Sequence, residues 1–200
     1  ELAERLRERF YRWEDHPYRV FERQVLRHLG PDSTLLDAGC GRTAEVLLKF
    51  SDKAGKLIGV DLVRFDEKAA GSGALLLNGN LSSIDLPDQT ADVIISRSVM
   101  EHLEDPLAVY KELARILKPG GHFIFLTANL WDYGTIFSRI IPNKFHAPIV
   151  AAVEGRQEED TFPTWYRTNT RRAVKRFAGA SGLEVESVEY LGQYPSYFLF

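Results

Sequence analysis

Two glycines and two aspartates occur at a spacing suited to holding a charged cofactor. The segment Asp37-Ala38-Gly39-Cys40-Gly41 follows one apolar run, and Asp61 follows the next. Glycines let the backbone turn sharply and approach a ligand closely, while amide hydrogens at the start of the following helix attract a carboxylate or a phosphate. An acid about 20 residues after such a turn can accept hydrogen bonds from ribose hydroxyls. The pattern therefore predicts a nucleotide-like cofactor at this turn.

Two kinds of cofactor satisfy this pattern. Gly39-x-Gly41-x-x-Ala44 fulfils the fingerprint of NAD(P)-binding proteins, with Asp61 at the ribose position. A cofactor that carries a carboxylate would use the same amide hydrogens. Taken alone, the turn leaves both choices open.

The elements that must position these residues are strands and helices in alternation. Short apolar runs with little polar alternation predict strands buried on both faces, as in a parallel sheet, at residues 34–36, 56–60, 74–77, 92–96 and 122–127. Apolar spacing and capping residues predict helices at residues 17–29, 63–70 and 107–117 and around Val174 to Ala178. The carboxyl ends of parallel strands meet at one edge of a sheet, where ligands bind. Asp37 and Asp61 should therefore lie near each other.

The carboxyl-terminal part of the chain predicts two further strands. Residues 183–190 and 196–200 flank the turn sequence Gly192-Gln193-Tyr194-Pro195. A hairpin of this kind makes its two strands antiparallel. Together with the five earlier strands, it brings the predicted sheet to seven strands.

Several segments around the turn resemble the class I S-adenosylmethionine (SAM)-dependent methyltransferases, in particular the methyltransferase type 11-like group. Residues 35–41 are similar to the family's first motif, in which an acid stands two residues before the first glycine. Residues 78–92 resemble its adenine-contacting segment and fourth strand, and residues 98–121 resemble the sections around the next helix. The resemblance favours SAM over NAD(P). Two positions depart from the pattern, since Thr43 stands where many relatives have glycine and Asn80 where many have aspartate.

The resemblance implies a fold and a set of cofactor contacts. The fold is an α/β, Rossmann-like three-layer sandwich with a mostly parallel seven-stranded sheet whose antiparallel last strand lies between the fifth and sixth. The implied cofactor-binding residues are Asp37, Gly39, Cys40, Gly41, Asp61, Leu62, Asn80, Leu81 and Ser96. No metal is implied.

Within that set, the resemblance gives several residues separate roles. Gly39 and Gly41 approach the methionine part of SAM, Asp61 accepts hydrogen bonds from both ribose hydroxyls, and Leu62 packs on adenine. Asn80 and the backbone of the next residue contact the adenine edge, and the Asn80 amide can both accept and donate there. An acid after a strand can also simply cap a helix, so a structural role for Asp61 stays open. Cys40 is expected to fill the turn as a small side chain without chemistry of its own.

Methyl transfer from a sulfonium is a direct displacement, so the enzyme mainly aligns the acceptor with the methyl group. A base is needed for some acceptors, such as hydroxyls, and histidine has the most suitable unperturbed pKa. His102 follows the fourth strand and His146 lies in the segment expected to cover the pocket, so both are candidate catalytic residues. His28 and His122 are expected to be structural or solvated. For His102, a hydrogen bond to nearby backbone is an equally good explanation.

A long aromatic segment at residues 129–167 interrupts the alternation of strands and helices. We interpret it as a lid over a small-molecule acceptor of aromatic or lipid-like character, methylated at oxygen or carbon. A satellite core beneath a long loop explains the same composition. Residues 1–30 are expected to form a helical cap, and residues 1–200 a single domain.

The composition excludes several classes of function. With a formal net charge of −3, the chain has no general positive field for nucleic acid, although Arg171, Arg172, Lys175 and Arg176 form a local basic cluster. The lone Cys40 excludes an internal disulfide framework, and no apolar stretch suits a membrane span, so we expect a cytoplasmic protein. Two competing functions remain open: an NAD(P)-dependent oxidoreductase and a catalytically silent SAM-binding module.

Overall fold

A computed structural model describes residues 12–129 and 162–192 of the chain. Five strands alternate with short and medium helices along it. The helices are α1 (Pro17–Leu26), α2 (Glu45–Leu48), α3 (Glu67–Ala70), α4 (Pro106–Ile116) and α5 (Arg171–Ala180). The strands are β1 (Thr34–Ala38), β2 (Lys56–Asp61), β3 (Leu75–Asn78), β4 (Ala91–Arg97) and β5 (Leu117–Leu126).

The five strands form one parallel sheet in the order β3-β2-β1-β4-β5. β1 lies between β2 and β4, with Asp37 opposite Gly59 on one side and Ile95 on the other. The chain order therefore reverses at β1, and α/β sheets bind ligands beyond the carboxyl end of the strands at such a point. The five predicted parallel strands are confirmed, and the sheet places the turn after β1 at this position.

The core occupies both faces of the sheet. On one face, Leu36 and Ile94 pack with residues of α4 and with Ala178 of α5. On the other face, Leu35 packs with α1 and α2. Neighbouring residues of β1 thus point to opposite layers, as the pleat of a strand requires. The predicted three-layer α/β sandwich is confirmed.

Three element boundaries differ from the prediction by three residues or more. α1 ends at Leu26, three residues early, because the amide of Arg27 already bonds to carbonyls of the preceding turn. α3 begins at Glu67 and not at residue 63, because Asp66 caps it by accepting a hydrogen bond from the Ala69 amide at 2.7 Å. β5 begins at Leu117 and not at residue 122, with an irregular register against the start of β4.

The predicted strand at residues 183–190 is not confirmed. These residues pair with no other strand in the described ranges, and they line the same cleft as residues of β5. Leu183 and Val185 still pack against the core, so the alternating apolar pattern reflects side-chain burial without a backbone ladder. The predicted partner strand, residues 196–200, lies outside the described residues, as do most of the proposed lid and the start of the proposed cap. None of the helices that the structure describes is long and apolar enough to cross a bilayer.

Candidate cofactor site

The turn after β1 is built around two glycines in the left-handed region of backbone space. Gly39 has φ +88°, and a Cβ there would lie 2.3 Å from Cγ2 of Val99. Gly41 has φ +73°, and a Cβ there would meet no described atom within 4 Å. Gly39 is therefore required by packing, whereas Gly41 faces open space. The open space is on the side where a ligand could approach the backbone.

Cys40 lies between these glycines and is buried. Its sulfur lies close to Gly59 of β2, where even a Cβ would come within 2.8 Å of the thiol. Burial raises the pKa of the Cys40 thiol far above its usual range, with the nearby carboxyls of Asp37 and Asp61 adding to the shift. A thiol held neutral is a poor nucleophile. The structure supports the expected packing role.

Asp61 connects the end of β2 to the glycine turn. One carboxylate oxygen accepts a hydrogen bond from the Gly41 amide at 2.6 Å, and the other accepts from the Val63 amide at 3.0 Å. The helix that follows is capped by Asp66, so helix capping does not explain Asp61. Each carboxylate oxygen can accept a second hydrogen bond. Asp61 can therefore hold two ribose hydroxyls while it fixes the turn.

The adenine side of the crevice is formed by residues that follow β2 and β3. Leu62 is 57% exposed, an unusual exposure for a leucine beside a buried strand end, and it offers an apolar surface for a flat ring. The side-chain oxygen of Asn80 accepts from both the amide and the hydroxyl of Ser82 at 3.0 Å. Its amide nitrogen has no hydrogen-bond partner within the described residues. Leu81 is buried. Asn80 therefore shapes the local turn and keeps a donor free.

Ser96, a predicted cofactor-binding residue, has a hydrogen bond within the sheet. It is fully buried in β4, and its hydroxyl donates to the Ala38 carbonyl at 2.8 Å. The hydroxyl is thus enclosed in the structure without a ligand. It ties the last residue of β1 to β4 and so positions the turn indirectly.

Asp37 is the most unusual group at the crevice. It is 2% exposed, and its Oδ2 atom has no hydrogen-bond partner in the described structure. Burial raises the pKa of Asp37 to about 7, with Arg97 opposing the shift and Asp61 adding to it. A buried carboxyl without a partner is costly unless a ligand or proton satisfies it. The positive sulfonium and ammonium groups of SAM suit this carboxyl, whereas the pyrophosphate of NAD(P) would be repelled by it.

The pH dependence of stability should report the burial of Asp37. Because its folded-state pKa lies above its unfolded value, the folded protein holds a proton that the unfolded chain releases, and stability falls as pH rises from about 4 to about 7. Asp37→Asn removes this loss. We compare the free energies of unfolding of Asp37→Asn and the wild-type chain by urea titration without ligand. Between pH 5.5 and pH 8, we expect the variant to gain about 1–2 kcal/mol relative to the wild-type chain. The exposed Asp85→Asn is the control, and an advantage of Asp37→Asn that does not change with pH would contradict the prediction.

A buried polar network lies beside the cofactor turn, and the sequence analysis did not find it. Glu101 is 8% exposed, and its carboxylate accepts a hydrogen bond from the Thr127 hydroxyl at 2.6 Å. Asn169 donates to the same hydroxyl at 2.9 Å and to the Ala128 carbonyl at 2.7 Å. The Thr168 hydroxyl donates to the Met100 carbonyl at 2.9 Å. The network joins the carboxyl ends of β4 and β5 to the chain that returns from the aromatic segment.

His102 also contacts this returning chain. Its Nδ1 atom lies 3.0 Å from the Pro163 carbonyl, and its ring meets Phe162 edge to face. A carbonyl can only accept, so Nδ1 carries the proton and Nε2 is left as an acceptor. The expected alternative of a backbone hydrogen bond is thus present, and it leaves a basic nitrogen free. His146 lies outside the described residues.

Two other histidines form a contact of their own. The rings of His28 and His122 stack with centroids 3.8 Å apart, and His122 lies 3.3 Å from the Glu186 carboxylate. They join the region after α1 to β5, remote from the turn. This placement agrees with the structural role expected for them.

A cavity of about 1330 Å³ is lined by residues of β5 and not by those of the cofactor turn. Its walls include residues of β5 and residues 183–191. At the carboxyl end of the sheet it reaches Glu101, Thr127 and Asn169. The polar network therefore forms one end of a cleft that lies beside the cofactor crevice, on the far side of β4. Within the described residues, no cluster of three or more histidine, cysteine or acidic side chains is arranged to hold a metal ion.

Comparison with known proteins decides between the two cofactors. Residues 36–125 match the model of the methyltransferase domain family. The chain is 31% identical over 176 residues to a probable S-adenosylmethionine-dependent methyltransferase of Mycolicibacterium smegmatis, an alignment that covers 80% of this chain and 65% of that protein. Over these residues the chain is similar to the class I SAM-dependent methyltransferases. The cofactor of that family is SAM, and the similarity favours SAM over a dinucleotide at this turn.

Two further comparisons show other proteins to which this chain is similar. It is 29% identical over 137 residues to a ubiquinone biosynthesis O-methyltransferase of Vibrio vulnificus, which covers 64% of this chain and 56% of that protein. A solved structure of a putative methyltransferase from Bacillus halodurans superposes with a TM-score of 0.59 at 18% identity, covering 84% of this chain and 70% of that one. At that identity, the superposition shows the fold alone. The chain spans between 49% and 65% of the length of these two curated relatives and an uncharacterized methyltransferase of Schizosaccharomyces pombe.

Proposed function

We propose that this methyltransferase transfers the methyl group of SAM to a small-molecule acceptor, at oxygen or carbon. The observation that carries the proposal is the buried Asp37 carboxyl, which lacks a partner beside the open turn at Gly41. A sulfonium cofactor supplies both an activated methyl group and the positive charge that this carboxyl needs. In this proposal, Asp61 binds the ribose hydroxyls and Leu62 packs on the adenine ring.

The residues at this edge have separate tasks in the reaction. The carboxylate of Asp61, itself held by the Gly41 amide, would fix the ribose of the cofactor, so the methyl group would be held at a constant position. Alignment of this kind can supply about 7–11 kcal/mol of the barrier reduction. Bound SAM supplies an electrophilic methyl carbon. The protein has to bring an acceptor atom in line with it and to remove any proton that the acceptor loses.

For a hydroxyl acceptor, the Nε2 atom of His102 is the proposed base. The Pro163 carbonyl at 3.0 Å fixes the ring and its tautomer, so that Nε2 is free to take a proton. Glu101 lies next to it in sequence, and its carboxylate lines the adjoining cleft. A carboxylate there can accept a hydrogen bond from an acceptor hydroxyl and orient it. O-methylation is also the reaction in the name of the Vibrio vulnificus relative.

The described end of the aromatic segment supports an aromatic or lipid-like acceptor. Phe162 and Trp165 are 38% and 44% exposed, although large apolar side chains are usually covered. The amides of Trp165 and Tyr166 both donate to the Glu101 carbonyl, at 2.8 and 3.0 Å. The segment is therefore anchored beside the site while it presents apolar rings. We propose that residues 129–167 cover a flat, apolar acceptor.

A screen of acceptors tests this function. Purified protein is incubated with SAM and one acceptor from each of five classes: phenols, catechols, prenylated rings, amines and nucleic acid. Release of S-adenosylhomocysteine is then measured. We expect release with a hydroxylated, apolar ring and none with nucleic acid, with Asp61→Ala as the inactive control. Firm SAM binding without release across the panel would favour the silent binding module, and turnover with nucleic acid alone would contradict the proposal.

A further inference from the structure

Arg97, the last residue of β4, has a half-buried side chain whose charge is not paired. Its guanidinium lies over the ring of Tyr18 at 4.3 Å from the centroid. It makes no hydrogen bond or ion pair with any residue in the ranges 12–129 and 162–192. By contrast, Arg115 bonds to the carboxylates of Glu112 and Asp88. Stacking holds the plane of the Arg97 guanidinium and leaves the N–H groups at its edge free to bind a planar anion.

The sheet order places Arg97 on a particular side of the cofactor turn. β4 is the neighbour of β1 on the side opposite to β2, which carries Asp61. Arg97 is close enough to Asp37 that its charge opposes the upward shift of the Asp37 pKa. If the adenosine end of SAM is held at β2, its amino-acid end would reach past the turn toward β4. Arg97 and Asp37 would then face the end of SAM that carries one carboxylate and two positive charges.

We propose that Arg97 binds the carboxylate of the methionine part of SAM. A guanidinium can donate two parallel hydrogen bonds to a carboxylate, which is the geometry that its free edge offers. Asp37 provides the complementary negative charge for the ammonium and sulfonium groups. The site thus recognises the zwitterionic amino-acid end of SAM with one positive side chain, Arg97, and one negative side chain, Asp37. This inference rests on the family's cofactor and is independent of the acceptor's identity.

Two cofactors that differ by one carboxylate provide the test. Binding of SAM and of decarboxylated SAM is measured by calorimetry for the wild-type chain, Arg97→Gln and Arg97→Lys. We expect Arg97→Gln to weaken SAM binding by about 10–30-fold and binding of decarboxylated SAM by less than about twofold. Arg97→Lys keeps the charge without the planar pair of donors, so it should lose part of the SAM affinity. Arg176→Gln is the matched control, because Arg176 also stacks on an aromatic ring, Phe177, but lies on α5 away from the turn.

The outcomes separate the inference from the function on which it rests. Equal losses for the two cofactors in Arg97→Gln would mean that the residue acts on the fold or on the rest of the cofactor, and would overturn the inference. Unchanged SAM affinity in that variant, together with a higher apparent KM for an anionic acceptor, would assign Arg97 to the acceptor and also overturn it. Failure of the wild-type chain to bind either cofactor would contradict the proposed function itself. Thermal unfolding of each variant without ligand verifies that the fold is intact.

Discussion

Replacing Asp61 with alanine will weaken SAM binding by about 1.5–3 kcal/mol, or roughly 10–150-fold in affinity. In the proposed site, the carboxylate provides charge-assisted hydrogen bonds to the ribose hydroxyls, and in the structure it holds the Gly41 amide at 2.6 Å. Removal of the side chain therefore costs both the ribose contacts and part of the order of the turn. Isothermal calorimetry with SAM and S-adenosylhomocysteine measures the loss.

Two further variants identify the source of this loss. Asp61→Asn keeps one oxygen acceptor and should recover part of the affinity. Asp66→Ala removes the cap of α3, so it should lower stability by about 1 kcal/mol with little effect on SAM binding. Unchanged SAM affinity in folded Asp61→Ala would exclude the ribose role of this residue.

Gly39→Ala will destabilise the protein by about 2–4 kcal/mol even without a cofactor. The new Cβ would lie 2.3 Å from Cγ2 of Val99, and the backbone at φ +88° would be strained for any residue other than glycine.

Gly41→Val should affect cofactor binding more than stability, in contrast to Gly39→Ala, because the turn has room for a side chain when no cofactor is bound. It should cost about 1–2 kcal/mol of stability from backbone strain but weaken SAM binding more than Asp61→Ala does. Urea unfolding with and without SAM separates the two effects.

A second-site variant distinguishes steric crowding from backbone strain at Gly39. Val99→Ala removes the two methyl groups that the new Cβ would contact, so it should restore part of the stability of Gly39→Ala and leave the strain at φ +88°. If Val99→Ala and Gly39→Ala destabilise the protein additively, the contact is not the cause of the loss.

The features that the sequence predicted are those determined by short stretches of chain. The glycine turn, the acid after the second strand and the five buried strands each leave a local pattern of residue types, and the structure contains all of them. Helix ends shifted by three or four residues because capping by residues such as Asp66 depends on single hydrogen bonds. The sequence also identified Ser96 as close to the turn, but it could not show that the hydroxyl is enclosed by the sheet.

The features that the sequence analysis missed depend on residues distant in the chain. Thr127 and Asn169 are 42 residues apart, and the residues adjacent to them in the sequence do not indicate a polar network. The proposed role of Arg97 depends on its stacking on Tyr18 of α1. No pattern in the sequence predicts a contact between Tyr18 and the end of β4. The apolar alternation at residues 183–190 predicted a strand, and within the described residues it corresponds to side-chain burial without strand pairing. In each case, tertiary packing decides what the local pattern leaves undetermined.

The hydrogen bond from Asn169 to the Ala128 carbonyl has a consequence for how acceptor preference could change during evolution. It brings the point where the chain leaves the sheet next to the point where it returns, at 2.7 Å. The intervening stretch is therefore a segment with adjacent ends, attached to a scaffold that holds the proposed cofactor residues. If this segment binds the acceptor as proposed, its exchange between related proteins would alter which molecule is methylated and leave the cofactor residues in place. Residues 128 and 169 mark the natural junctions for a chimaera of that design.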